Sequence, residues 1–140
     1  MSPFLIHPQF ATDCWILGRL RHSHVLLHKN AVVSWFILVP EIEALDFLEL
    51  PESLQIPVIQ ECSRIAAFIR RETDSTRINF AAIGNIVPQM HLHVIGRRPA
   101  DPCWPLPVWG HLSERRDYSA AEVAGIVDRL RQIIGLTPVS

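Results

Sequence analysis

The run Pro88-Gln89-Met90-His91-Leu92-His93-Val94-Ile95 constrains this chain more than any other stretch. Read as a β-strand, its side chains alternate between two faces. Gln89, His91 and His93 then share one face, and Met90, Leu92 and Val94 share the other. One side is fit to sink into a core. The other lines up an amide and two imidazoles.

The rest of the chain can supply that core. It has 140 residues, of which 49% are hydrophobic and only 19% charged. That length predicts a single domain spanning 1–140. The apolar excess points to a homo-oligomer, with extra surface hidden between subunits. The net charge of -1 carries no basic block. An extended nucleic acid is therefore not expected as a partner, since such a grip needs clustered Lys and Arg. A single nucleotide needs only a few donors and stays open. Cys14, Cys62 and Cys103 are far apart and odd in number, which fits free thiols in a reducing cytoplasm. Met1-Ser2-Pro3-Phe4 has no basic start and no long apolar run, so no signal peptide is expected. No stretch approaches the roughly 20 apolar residues of a membrane span.

The stretch up to Pro40 reads as sheet. Cys14–Leu20, Ser23–His28 and Val32–Val39 are β-prone, with a turn at Lys29-Asn30-Ala31. Ile42, Leu45 and Leu48 have helical spacing over a short span. Val58, Ile59, Cys62, Ile65, Ala66 and Ile69 form a firmer apolar stripe. Pro57 is tolerable only in a first turn, which puts this helix start near Ser53 or Leu54. Thr76–Ile83 is a further strand. Gly84-Asn85 is a hairpin signal that makes it the antiparallel neighbour of the histidine strand. Residues 97–118 follow as a stiff arm rich in Pro and Trp. Ser119 with Glu122 is a capping box that opens a last helix over 119–135, ending at Gly135.

Residue types alone leave three readings of the histidine strand. Two histidines on the open face of a sheet can be solvated polar residues. They can be part of a metal site, with a third ligand from His22, His24, His28, His111 or Cys103, though no spacing marks a metal motif. Or one can be a nucleophile. A neutral imidazole has a free lone pair near neutral pH and can attack phosphorus, splitting one hard step into two. Its neighbour can then donate a hydrogen bond to the phosphate or the leaving group.

Asn79, followed by Gly84-Asn85-Ile86-Val87-Pro88 and the run Gln89 to Ile95, resembles the signature of the histidine triad (HIT) family. That family carries three histidines alternating with apolar residues. Trp35-Phe36-Ile37-Leu38-Val39-Pro40 is similar to the family's earlier strand ending in proline. The resemblance runs from about Val25 to Arg97. It implies an α+β, HIT-like fold: an antiparallel sheet of about five strands with a long helix packed on it and a C-terminal helix.

The resemblance also implies an activity. The expected protein is a nucleotide hydrolase or nucleotidyl transferase that works at the α-phosphate through a nucleotidyl-histidine intermediate. His91 takes the nucleophile's place, His93 that of the third histidine, and Gln89 replaces the first. Asn79, Asn85 and Asn30 fall where the family contacts nucleotide, phosphate and ribose. The mechanism requires no metal and no cofactor. Its partner is a nucleotide or nucleoside phosphate conjugate, and its assembly a homodimer. A nucleotide-binding module without turnover is the alternative, with Gln89 as the sign of lost catalysis.

Three further expectations concern particular side chains. Trp35 lies near a position where some members carry another phosphate-facing histidine. A two-residue turn at Gly84-Asn85 pairs Asn79 with Met90, away from the histidine face, unless a longer loop or a bulge intervenes. Arg97 and Arg98 read as solvated, and Trp104 and Trp109 as core or interface residues.

Overall fold

A computed structural model of the chain describes residues 3–140. Met1 and Ser2, which open the stretch read for a signal peptide, lie outside the described residues. No helix among the described residues is long and apolar enough to cross a membrane.

Among the described residues, six strands form one antiparallel sheet: β1 (Cys14–Arg19), β2 (Ser23–His28), β3 (Ser34–Pro40), β4 (Arg77–Ala81), β5 (Leu92–Arg97) and β6 (Thr137–Pro138). Their spatial order is β4-β5-β3-β2-β1-β6. The described residues also form the α-helices α1 (Pro8–Asp13), α2 (Glu52–Glu72) and α3 (Ala120–Ile134). This is the α+β architecture expected, with one short strand more. β6 can reach β1 because residue 18 is glycine; a Cβ there would lie 2.3 Å from the Thr137 carbonyl oxygen.

The two faces of the sheet are both buried, but under different covers. Leu17, Val25, Leu27, Phe36, Leu38, Leu92 and Val94 pack against Val58, Cys62, Ile65, Phe68 and Ile69 of α2 and Val123 and Leu130 of α3. The opposite face carries Leu26, Val33, Trp35, Ile37, Val39 and Ile95. Phe10 of α1 and Cys103 and Val108 of the arm close over it. Each face buries a row of apolar side chains, at about 1.5–3 kcal/mol for a fully buried large one. The arm is therefore part of the core.

The local departures have local causes. Only a single 3₁₀ turn, Phe47–Glu49, forms where Ile42, Leu45 and Leu48 suggested a helix. Leu45 and Leu48 stay exposed there, with no layer to pack against. α2 starts at Glu52, so Pro57 falls in its second turn rather than its first. The carbonyl it leaves without an N–H belongs to exposed Ser53, where water can serve. Ile59 is exposed, and Phe68, outside the stripe expected, is buried. α1 was not expected. His7 starts it by accepting from Gln9 N–H through Nδ1, and Pro8 supplies a preset φ. The capping box of Ser119 and Glu122 forms as read, and α3 ends at Gly135 with φ 74°.

The main correction concerns the hairpin. β5 begins at Leu92, and β4 pairs with it through Asn79↔Ile95 and Ala81↔His93. Residues 82–91 thus form a long loop in place of a two-residue turn at Gly84-Asn85. Asn79 lies opposite Ile95, not Met90, and so shares the histidine face. The pairing of β5 with β3, Trp35↔Ile95 and Ile37↔His93, fixes this register across the sheet. A local turn signal competes poorly with two ladders that each bury a full strand.

Candidate active site

Alternation carries back from β5 into the end of the loop. Met90, Leu92 and Val94 enter the α2 side of the core. His91 and His93 face the other way, buried, with ring centroids 5.0 Å apart and planes at 71°. Phe10 of α1 presses edge-on against His91 at 4.8 Å. Trp109 of the arm stands against His93 at 4.9 Å.

The two imidazoles meet different partners. His91 Nδ1 lies 2.7 Å from the backbone carbonyl of Gln89. A carbonyl only accepts, so this nitrogen carries the proton, and the lone pair of the neutral ring sits on Nε2. His93 Nδ1 lies 3.0 Å from Trp35 Nε1, which can only donate. Burial lowers the His91 pKa from its ordinary value, against a smaller raising effect of the Gln89 carbonyl. Burial, with the nearby His91 and His28, pushes His93 down to about 3. Both rings are thus held neutral at neutral pH.

His28 completes this wall. Its ring stacks on Trp35 at 4.1 Å, with planes 10° apart. Its Nδ1 accepts the Asn30 N–H at 3.1 Å. Sequence reasoning offered His28 only as a metal ligand. The alternation of β2, which puts His24, Leu26 and His28 on one side, was the signal available. Among the described residues no three His, Cys, Asp or Glu side chains gather as a metal site requires.

Gln89 does not point its amide at the pair. Its Oε1 accepts from His7 N–H at 2.8 Å, and its Nε2 donates to the Leu5 carbonyl at 2.8 Å. It therefore ties the chain before α1 to the histidine segment. Through α1 that tie bears on Phe10, and so on His91. Asn79 accepts from Arg97 Nη1 at 2.9 Å, toward the far end of β5. Asn30 donates to the Glu114 carbonyl at 2.9 Å and accepts from Val32 and Arg116 N–H groups, pinning the end of the arm. Asn85 is exposed on the 82–91 loop. The structure thus brings His91, His93 and the Gln89 backbone together, and leaves the three asparagines outside that cluster. A groove of about 680 Å³ opens onto His91 from the β4 edge, walled by Leu45, Leu48, Ile59, Phe80 and Ile83.

Arg97 is a correction. Its place after a strand predicts a solvated side chain, yet it is 1% exposed. It shares strand parity with His91 and His93, so the same alternation that places them turns it inward. It reaches Asp101, Asn79 and the Leu106 carbonyl and lies against Trp104. This network folds the arm back so that Trp109 meets His93.

A sheet bearing paired histidines on one face and a long helix on the other defines a class of HIT-like α+β proteins. The comparisons agree. The HIT domain model matches residues 9–100. A histidine triad protein from Bradyrhizobium japonicum is similar at 35% identity and TM-score 0.86, covering 95% of this chain and 99% of that one. One from Marinobacter aquaeolei VT8 is 33% identical, with TM-score 0.86 and coverage of 97% and 100%. One from Sinorhizobium meliloti 1021 is 31% identical, with TM-score 0.85 and coverage of 93% and 96%. No curated protein matches. The chain belongs to the histidine triad (HIT) family.

Proposed function

We propose that this protein is a nucleotide hydrolase or nucleotidyl transferase in which His91 Nε2 attacks the α-phosphorus of a nucleotide or nucleoside phosphate conjugate. One observation carries the reading. The Nδ1 proton of His91 is spent on the Gln89 carbonyl, which leaves the Nε2 lone pair free beside His93. As the N–P bond forms, the bond to the leaving group breaks. A polyphosphate leaves as an anion, and an amine takes a proton from solvent. The ring becomes a phosphorylated imidazolium whose Nδ1–H points at a carbonyl dipole, which favours the charge as it develops. Water then adds to phosphorus, the N–P bond breaks, a proton goes to solvent and neutral His91 returns. His93 donates a hydrogen bond to a phosphate oxygen or the leaving atom without surrendering its proton.

Gln89 acts here as a support, through its carbonyl and its hold on residues 5 and 7. Asn85 is the candidate for a direct polar contact with substrate. Asn79 and Asn30 support the site through Arg97 and His28. Residues 3–140, arm included, act as one unit. The proposed assembly is a homodimer, supported by the outer strand β4, where Phe80 is 49% exposed. Sedimentation tests that part.

Intact-protein mass after acid-free quenching tests the chemistry. Wild type and His91→Ala are mixed with nucleoside phosphoramidates and dinucleoside polyphosphates. A transient nucleotidyl adduct confined to wild type supports the reading. Nucleotide binding with neither adduct nor product would replace it with a binding module.

A further inference from the structure

Taking His91 and His93 as the reacting pair, we infer that Trp35 is a positioning residue: its indole N–H fixes His93 as the Nε2–H tautomer. His93 then offers the substrate a neutral donor where the other tautomer would offer a lone pair.

An unheld neutral imidazole can carry its proton on either nitrogen. With the proton on Nδ1, His93 would turn a second lone pair toward the phosphate oxygens, next to that of His91. Two identical side chains on one face need opposite tautomers if one attacks and the other donates. What each Nδ1 meets decides it. His91 meets a carbonyl, an acceptor only. His93 meets an indole, a donor only, at 3.0 Å.

The register makes that contact possible. Trp35 lies opposite Ile95, and His93 lies opposite Ile37. Trp35 and His93 are therefore diagonal neighbours on one face, within reach of a long aromatic side chain. Both are buried, so no water competes for Nδ1. Trp35 is itself held on two sides. His28 stacks flat on it, with Nδ1 fixed by Asn30 N–H, and Trp109 meets it edge-on at 5.9 Å. The titratable groups acting on His93 are His91, on its own segment, and His28, behind Trp35. Neither supplies a negative charge that would favour the imidazolium, so the neutral ring and its one proton are what Trp35 has to orient.

Trp35→Phe keeps a ring in the stack and removes the N–H. Long-range nitrogen–proton correlation spectra of protein carrying isotope-labelled histidine read each tautomer directly, without turnover. In wild type the expected pattern is Nε2–H for His93 and Nδ1–H for His91. In Trp35→Phe, His93 should gain the Nδ1–H form while His91 is unchanged. kcat should fall about tenfold or more with KM changed less than about twofold, because a donor to the reacting group is lost. His93 remaining wholly Nε2–H in Trp35→Phe would overturn the assignment. So would an Nδ1–H His93 in wild type, a result that needs no variant to fold. Absence of any His91 adduct, with the His93 tautomer still switching, would sink the proposed reaction but leave the hold of Trp35 on His93 intact.

Discussion

Arg97, the last residue of β5, and Asp101, on the arm, form a two-point ion pair inside the protein. Arg97 Nε lies 2.7 Å from one carboxylate oxygen and Nη2 3.1 Å from the other. Both side chains are 1% exposed. Burial works to raise the Asp101 carboxyl, but hydrogen bonds from Arg97 and from the Arg98 and Cys103 N–H groups outweigh it and leave it below its ordinary value. Breaking such a pair from one side strands a buried charge and costs about 3–5 kcal/mol. Asp101→Asn is expected to lower stability by that order in denaturant melts. It should also speed amide exchange across 99–112. Unchanged exchange in the arm would mean that Arg97 does not hold it.

Gln89 makes two side-chain hydrogen bonds to the backbone of residues 5 and 7. Each is worth about 0.5–1.5 kcal/mol net. Gln89→Ala should therefore cost about 1–3 kcal/mol and raise amide exchange at His7 and Phe10. If Gln89 instead serves only the substrate, nucleotide affinity will fall while exchange near α1 stays as in wild type.

The buried histidines set the response to acid. In the unfolded chain they titrate near 6.5, while the folded value of His93 is about 3 and those of His91 and His28 are also lowered. Between folded and unfolded values the unfolded chain binds more protons, so acid favours unfolding. Stability should be complete above about pH 6.5 and fall below it by up to about 1.4 kcal/mol per pH unit for each histidine. The fall due to His93 should continue toward its folded value of about 3. Urea melts from neutral pH down to about pH 4.5 read this slope. A flat or rising profile would contradict it.

The same lowering bears on the activity proposed above, in which His91 is the nucleophile. A nucleophile must be neutral, and burial is the main cause that moves the His91 pKa down. The acid limb of kcat/KM should accordingly fall below the usual imidazole range near 6.5. An acid limb above that range would point to a protonated His91 in the free protein.

Much of the candidate site's geometry was legible because side-chain alternation in a strand has a period of two. That period placed His91 and His93 together, and Met90, Leu92 and Val94 in the core behind them. The capping box at Ser119 was legible for a similar reason, since its hydrogen bonds span only a single turn. Arg97 and His28 were missed although the same alternation marks both. A charged side chain after a strand reads as solvated until a carboxylate is known to wait for it. Asp101 becomes that partner only when the arm folds back.

The sequence by itself determined which residues share a face, because alternation needs nothing beyond the strand's own backbone. It determined the α+β class through the spacing of apolar residues. Only the tertiary structure decided the register of β4 on β5, since pairing energy comes from neighbours far away in the chain and overrode the turn signal at Gly84-Asn85. Only it decided what each imidazole's Nδ1 meets. The Gln89 carbonyl is only two residues from His91, but the irregular backbone that turns it to Nδ1 follows from where β5 begins. Trp35, which lies far from His93 in sequence, brings its indole N–H to 3.0 Å only through packing.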